Sequence, residues 1–161
     1  MCGIFFTKNE SKESFTKLME YFMLGQPRGP YFSTLTKIEN HIKFHSEYYI
    51  GFHRLSINGL NSKSNQPFIK NGVYLVCNGE IYNFKDLYKK LNLIPETDSD
   101  CEIIIDLYLR YSINDFIGLL DGVFAFIIYD TRNGSLTIGR DPFGVRPLFY
   151  NRTYSNFGSE M

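Results

Sequence analysis

Apolar positions recur along the chain with two periods, and these sort it into strands and helices. Gly3 to Thr7 reads as a short buried strand. Phe15, Leu18, Met19, Phe22 and Met23 then fall at i, i+3, i+4, i+7 and i+8, which makes one apolar helix face with Gly25 as its stop signal. Gln26-Pro27-Arg28-Gly29-Pro30 predicts a rigid loop, because each proline fixes its own φ and restricts its predecessor. Residues 32–52 read as strands, the last of them leading into His53-Arg54-Leu55-Ser56-Ile57, and Asn58 to Pro67 is a polar loop. Val73 to Cys77 is a strand ending at Asn78-Gly79-Glu80. Phe84, Leu87, Tyr88 and Leu91 mark a short amphipathic helix, and Ile103-Ile104-Ile105 with Leu107 and Tyr108 mark another. Val123 to Tyr129 and Ser135 to Gly139 form a hairpin across Asn133-Gly134. Strands precede, separate and follow the helices without regular βαβ alternation, so the expected class is α+β.

Composition narrows the function classes. At 161 residues the chain fits one domain, 1–161, with a real core, and its 17% aromatic content suits a sheet-rich interior. Seventeen Lys+Arg balance seventeen Asp+Glu, so no net field favours nucleic acid or an anionic membrane. No apolar run reaches spanning length and no signal core opens the chain, which makes a cytoplasmic, soluble protein the expectation. Three cysteines, Cys2, Cys77 and Cys101, are an odd number and argue for a reducing compartment rather than a disulfide framework. His41, His45 and His53 form no ligand pattern with them, so no metal and no cofactor are expected. No P-loop or Ser-Gly-Gly-x-Asp pyrophosphate loop occurs.

The candidate chemistry begins at Cys2. A small residue behind the initiator methionine permits trimming, which would leave a thiol and a free α-amine on one residue, a nucleophile with its own base. The plain alternative is a small buried hydrophobe at the head of a strand. Asn78-Gly79 is ordinarily a hairpin turn, as Asn58-Gly59, Asn71-Gly72 and Asn133-Gly134 could be. Here a helix follows instead of a long return strand, and an Asn amide beside a Gly N–H can also stabilise a tetrahedral oxyanion. Arg54 is either a surface charge or a bidentate carboxylate anchor. Ser99-x-x-Glu102 ahead of three isoleucines matches a helix capping box, which accounts for Ser99 and Glu102 better than for Asp100. Cys77 reads as core, and Cys101 as packed behind the helix start.

Taken in chain order, these segments resemble the class II glutamine amidotransferases, and in particular the glutaminase domain of asparagine synthetase. The resemblance runs through Met1-Cys2-Gly3-Ile4, Arg28-Gly29-Pro30, His53-Arg54-Leu55-Ser56-Ile57, Asn65-Gln66-Pro67 and Asn78-Gly79-Glu80-Ile81-Tyr82-Asn83. Ser99-Asp100-Cys101-Glu102, Leu120-Asp121-Gly122 and Gly139-Arg140-Asp141 through Pro147-Leu148 complete it. It implies an N-terminal nucleophile hydrolase fold, with two antiparallel sheets packed between helical layers. It implies hydrolysis of L-glutamine to glutamate and ammonia, with Cys2 as nucleophile and Asn78 and Gly79 as the oxyanion hole. Arg54 would hold the substrate's α-carboxylate and Asp100 its α-ammonium, with Glu80, Leu55 and Ile57 on the same binding wall. Arg140, Asp141 and Gly144 would shape a turn under the site. The family usually has His before Arg-Gly-Pro and Asp after it, where this chain has Pro27 and Tyr31. The ATP-dependent half of a synthetase is absent from the sequence, so a synthetase-domain protein acting in trans is the expected partner. Leu148, Phe149, Tyr150, Tyr154 and Phe157 would form the docking edge. The alternative, from another class, is a catalytically idle remnant serving as a glutamine-binding or regulatory subunit.

Overall fold

Alternation along one strand organises the molecule. In the computed structural model, which describes residues 1–39, 46–56, 60–153 and 155–160, strand β5 (Val73–Ile81) is buried on both faces. Its odd positions Val73, Leu75, Cys77 and Ile81 enter one apolar cluster, while Tyr74 and Val76 enter a second. A strand buried on both sides needs a layer against each face, and the chain supplies them.

One sheet has the order β4-β5-β6-β7, built from β4 (Phe68–Lys70), β5, β6 (Gly122–Asp130) and β7 (Ser135–Arg140). The other has the order β2-β3-β1-β9-β8, from β1 (Gly3–Asn9), β2 (Phe32–Lys37), β3 (Glu47–Arg54), β8 (Phe149–Tyr150) and β9 (Asn156–Gly158). Every strand pairing is antiparallel. Ile4, Phe6, Ile50 and Phe52 from one sheet meet Val76, Ala125, Ile127 and Tyr129 from the other. Helices α2 (Phe84–Leu91), α3 (Ile103–Tyr108) and α4 (Ile113–Phe116) cover the outer face of the β5–β6 sheet through Leu87, Ile103, Ile104, Ile105, Leu107 and Phe116. Helix α1 (Phe15–Met23) covers part of the other outer face. The result is the α+β arrangement expected: two antiparallel sheets between helical layers.

Local chemistry explains where the elements stop. Ser14 caps α1 by accepting from Lys17 N–H. That helix docks through Phe22, whose ring fits against Gly51, where a Cβ would come within 2.6 Å of it. Only Leu18 and Phe22 of the apolar stripe are buried, and Phe15 and Met23 stay exposed, because nine residues give one contact face against the sheet. The β4–β5 and β6–β7 hairpins turn at Asn71-Gly72 and Asn133-Gly134, with Gly72 and Gly134 at φ +76° and +72°. Asn58-Gly59 lies outside the described residues.

Two expectations need correction. Strand β5 does not end at Cys77 but runs through Asn78-Gly79-Glu80 to Ile81, since β6 pairs with it down to Gly122. The Ser99–Glu102 segment is a capping box at one end only. Ser99 Oγ accepts from Cys101 N at 3.3 Å, but Glu102 does not fold back onto Ser99. Its carboxylate accepts from Thr97 N and Oγ1 (both 2.8 Å) and from Lys70 Nζ (2.7 Å), and Lys70 also pairs with Asp106. Burial pushes the Glu102 carboxyl up, but the bonds from Lys70 and Thr97 outweigh it and leave the group below its usual range. This buried cluster anchors the segment that carries Asp100.

Candidate active site

Antiparallel register brings the N-terminus to Arg54. Gly3 lies opposite His53, so Cys2 falls beside Arg54 at the mouth between the sheets. The Cys2 thiol points at Leu55 O, 3.5 Å away. The 3₁₀ turn Gln26–Arg28 holds this end in place, with Arg28 Nε donating to Cys2 O at 3.3 Å and its guanidinium pairing with Glu160 at 2.6 Å. Gly29 is needed there, since a Cβ would fall 2.3 Å from the His53 carbonyl. Pro27 sits within that turn, and Tyr31 is exposed, with its N–H donating to Arg54 O. His53 is buried and stacked on Phe22, with Nε2 against Phe22 O (2.8 Å) and Nδ1 against Ser33 Oγ (2.7 Å). Burial lowers its pKa, so it serves as a neutral brace for α1.

The edge of β5 supplies the other wall. Phe124 uses its N–H and C=O on the Asp141 side, so its partner Gly79 is not hydrogen-bonded to β6 and faces the opposite edge. Cys77 and Ile81 face that edge too. Cys77 N–H donates to Gln66 Oε1 (2.6 Å), and Ile81 N–H donates to Asp100 Oδ2 (2.7 Å). Gly79, between these two filled rungs, directs its N–H into the cavity. Asn78 projects from the other face, is 1% exposed, and its Nδ2 has no hydrogen-bond partner. A buried amide donor without a partner costs about 1–3 kcal/mol, so a fold that retains one is holding it for something.

A small cavity of about 50 Å³ collects these groups. Its walls include Cys2, Arg54, Leu55, Asn78, Gly79, Glu80 and Asp100. Seven of the eight residues named from sequence therefore converge, and Ile57 lies outside the described residues. Arg54 is buried, and its Nη1 donates to Asn61 O (2.9 Å) and Asn65 Oδ1 (2.5 Å), which fixes the guanidinium at the rim. Met1 also lines the cavity and takes up space in it. Burial pushes the Cys2 thiol up, opposed in part by the positive charges of the terminal amine and Arg54.

Sequence reading missed Gln66 and Arg146, which line the same cavity. The Asn65-Gln66-Pro67 motif was visible, but its register against Cys77 was not. Arg146 has a buried Nε without a partner. It is presented by a turn that Asp141 knits together, accepting from Phe124, Phe143 and Val145 N–H, with Arg140 Nε donating to Arg146 O. The structural reading of Arg140, Asp141 and Gly144 (φ +63°) fits that turn.

A much larger groove, about 740 Å³, runs along the outer face of β1 and β9 beside α1. It contains neither the Cys2 nor the Asn78 side of the molecule, and volume alone does not make it the reactive site. Phe149 and Tyr150 at its end are exposed, Phe157 is buried, and Tyr154 lies outside the described residues. Among the described residues no helix is long and apolar enough to cross a membrane, and no group of three His, Cys, Asp or Glu side chains is placed to hold a metal.

A family model described as a glutamine amidotransferase domain matches residues 1–161. The chain is 44% identical over 109 residues to the glutamine-hydrolyzing asparagine synthetase of Mesocricetus auratus, covering 66% of this chain and 19% of that protein. It is 41% identical over 103 residues to a probable asparagine synthetase of Acanthamoeba polyphaga mimivirus, covering 63% and 19%. It is 35% identical over 155 residues to asparagine synthetase 1 of Arabidopsis thaliana, covering 92% and 25%. The chain thus spans about a fifth to a quarter of these relatives' length.

Proposed function

Because the chain belongs to the glutamine amidotransferase domain family, with a class II domain of the asparagine synthetase type, we propose that it hydrolyses L-glutamine to L-glutamate and ammonia through the thiol of Cys2. The observation that carries the reading is the unpartnered Asn78 Nδ2 next to the open Gly79 rung, at the cavity that Cys2 also lines. Two donors converging where no protein acceptor waits are suited to an oxyanion that exists only during reaction.

The steps follow from these groups. Removal of Met1 exposes an α-amine on Cys2 and frees space in a cavity too small for glutamine with Met1 in place. A thiol whose pKa burial has raised yields little thiolate unaided, so the amine takes its proton as sulfur attacks the carboxamide carbon. The carbonyl oxygen becomes an oxyanion and accepts from Asn78 Nδ2 and Gly79 N–H. The protonated amine returns its proton to the leaving nitrogen, and ammonia departs from a γ-glutamyl thioester. Water, deprotonated by the same amine, then cleaves the thioester to glutamate and restores the thiol. Arg54 and Asp100, a cation and an anion on one cavity, hold the substrate's α-carboxylate and α-ammonium, with Glu80 and Leu55 lining the wall.

Ammonia released to neutral water is mostly protonated and no longer nucleophilic. Its use therefore requires an acceptor site docked close by, and the remaining three-quarters or more of the related synthetases is the kind of polypeptide that supplies one. The exposed Phe149 and Tyr150 on edge strand β8 are the surface assigned to that partner.

The test is glutamate release from glutamine by the purified chain, with intact mass to establish the first residue. Activity is expected from protein beginning at Cys2, and none from Cys2→Ala. Turnover by protein that retains Met1 would overturn the amine's role as base. Retained glutamine binding without turnover would favour the non-catalytic alternative. Asparagine should form from aspartate and ATP only when a synthetase-domain protein is added.

A further inference from the structure

We infer that Gln66 is a positioning residue of the oxyanion hole: its side-chain amide replaces a missing strand backbone and holds the rung of β5 from which Asn78 and Gly79 extend. The inference rests on the glutaminase reading of the site and adds a residue to it.

Register carries the argument. β4 and β5 pair with Lys70 opposite Val73 and Phe68 opposite Leu75, so position 66 falls opposite Cys77. The backbone does not continue the ladder there, because β4 begins only at Phe68. The Gln66 carboxamide fills the rung instead. Its Oε1 accepts from Cys77 N at 2.6 Å and its Nε2 donates to Cys77 O at 3.1 Å. A carboxamide carries the same donor and acceptor as a peptide unit, so one side chain supplies both bonds. Gln66 is 5% exposed, and its bonds are not shared with bulk water.

The next rung shows what the substitution achieves. Position 64 would fall opposite Gly79, but there the chain has turned away into the 3₁₀ turn Ser62–Ser64, and the cavity lies between. A backbone strand running on from β4 would instead have occupied the Gly79 N–H. Gln66 thus closes the ladder one residue before Asn78, leaving Gly79 open while holding its neighbour at strand geometry. On the far side, the Asp100 carboxylate holds Ile81 N–H in the same way. The open N–H is flanked by two side-chain surrogates, one amide and one carboxylate.

The prediction is a split between turnover and binding. Gln66→Met keeps the length of the side chain and removes both bonds. Misplacing a catalytic group by about 1 Å costs up to ~10² in rate, so kcat should fall roughly 10- to 100-fold. KM should move by less than about threefold, as should glutamine affinity measured on the Cys2→Ala background. Gln66→Glu supplies a second, independent readout. A neutral carboxylic acid can donate to Cys77 O and accept from Cys77 N, whereas the buried carboxylate faces a carbonyl oxygen. The ratio of Gln66→Glu to wild-type kcat should therefore rise as pH falls from about 8 to about 6, while that of Gln66→Met stays flat. If Gln66→Met does not fold, the pH trend of Gln66→Glu decides alone. An active wild-type chain with kcat unchanged in folded Gln66→Met, or a flat Gln66→Glu ratio, overturns this assignment only. A wild-type chain that begins at Cys2 and releases no glutamate overturns the glutaminase reading and this assignment with it.

Discussion

Replacing Asn78 by alanine separates catalysis from stability more sharply than any other change in this site. The side chain is buried, yet its Nδ2 has no acceptor. In the resting protein that donor is a liability of about 1–3 kcal/mol. Alanine removes it, at the expense of packing atoms beside a cavity of only about 50 Å³, a loss of similar size. The two contributions oppose each other, so unfolding free energy should stay within about 1 kcal/mol of wild type. Turnover should behave differently, because the donor is used only when charge develops on the carboxamide oxygen. Loss of one oxyanion donor costs about 2.7–4 kcal/mol of transition-state stabilisation, or ~10²–10³ in kcat, with little change in KM. Asn78→Asp, isosteric but unable to donate when ionised, should lose kcat by a similar factor. Glutamate release measured against glutamine concentration, together with denaturant unfolding, tests both halves. A kcat within about tenfold of wild type, or a stability loss above about 3 kcal/mol, would show that Asn78 is an ordinary core amide and that the donor argument is wrong.

Arg54→Ala should raise the KM for glutamine roughly 10- to 150-fold, the equivalent of a charged hydrogen bond, and an unchanged KM in steady-state kinetics would remove Arg54 from substrate binding. Glu102 has a folded pKa below its unfolded one, so its contribution is full above the unfolded value and is lost as pH falls through the folded value. Glu102→Gln should therefore flatten the acid side of the stability curve, from the ordinary glutamate range downward in pH, and a thermal-melt series with the wild-type acid slope would contradict this. Gly79→Ala should cost both fold and activity, because its Cβ would sit 2.4 Å from Val123 O and 2.6 Å from Phe124 Cα; a variant melting like wild type would refute the crowding.

The layers were legible because they follow from periodicity. The continuous apolar runs of β5 and β6 and the i, i+3, i+4 spacing of α1 and α2 mark what must be buried, and tertiary packing buried it. What periodicity could not indicate was where β5 stops. Asn78-Gly79 has turn chemistry, and at Asn71 and Asn133 the same dipeptide does turn. At Asn78 the pairing with β6 wins over local preference, because Ala125, Phe124 and Val123 continue the ladder as partners for Asn78, Gly79 and Glu80. The capping box failed at Glu102 for a related reason. A lysine 32 residues upstream offered that carboxylate a buried ion pair, which no local motif reveals.

The site itself was legible as a set of residue types but not as an arrangement. Cys2, Arg54, Asn78 and Asp100 announce a nucleophile, a cation, an amide donor and an anion, and sequence order says nothing of how they meet. The arrangement depends on two strand ends and one strand edge lying together: the start of β1, the end of β3 and the open edge of β5. An open strand edge is normally covered or charged, since unpaired N–H groups invite aggregation or cost energy when buried. Here side chains cover it rung by rung, Gln66 at Cys77 and Asp100 at Ile81, and the single rung between them remains available. A backbone neighbour would have filled all three rungs alike. Side chains can fill two and leave one, and that selectivity makes the edge of a core strand usable as half of the catalytic site proposed.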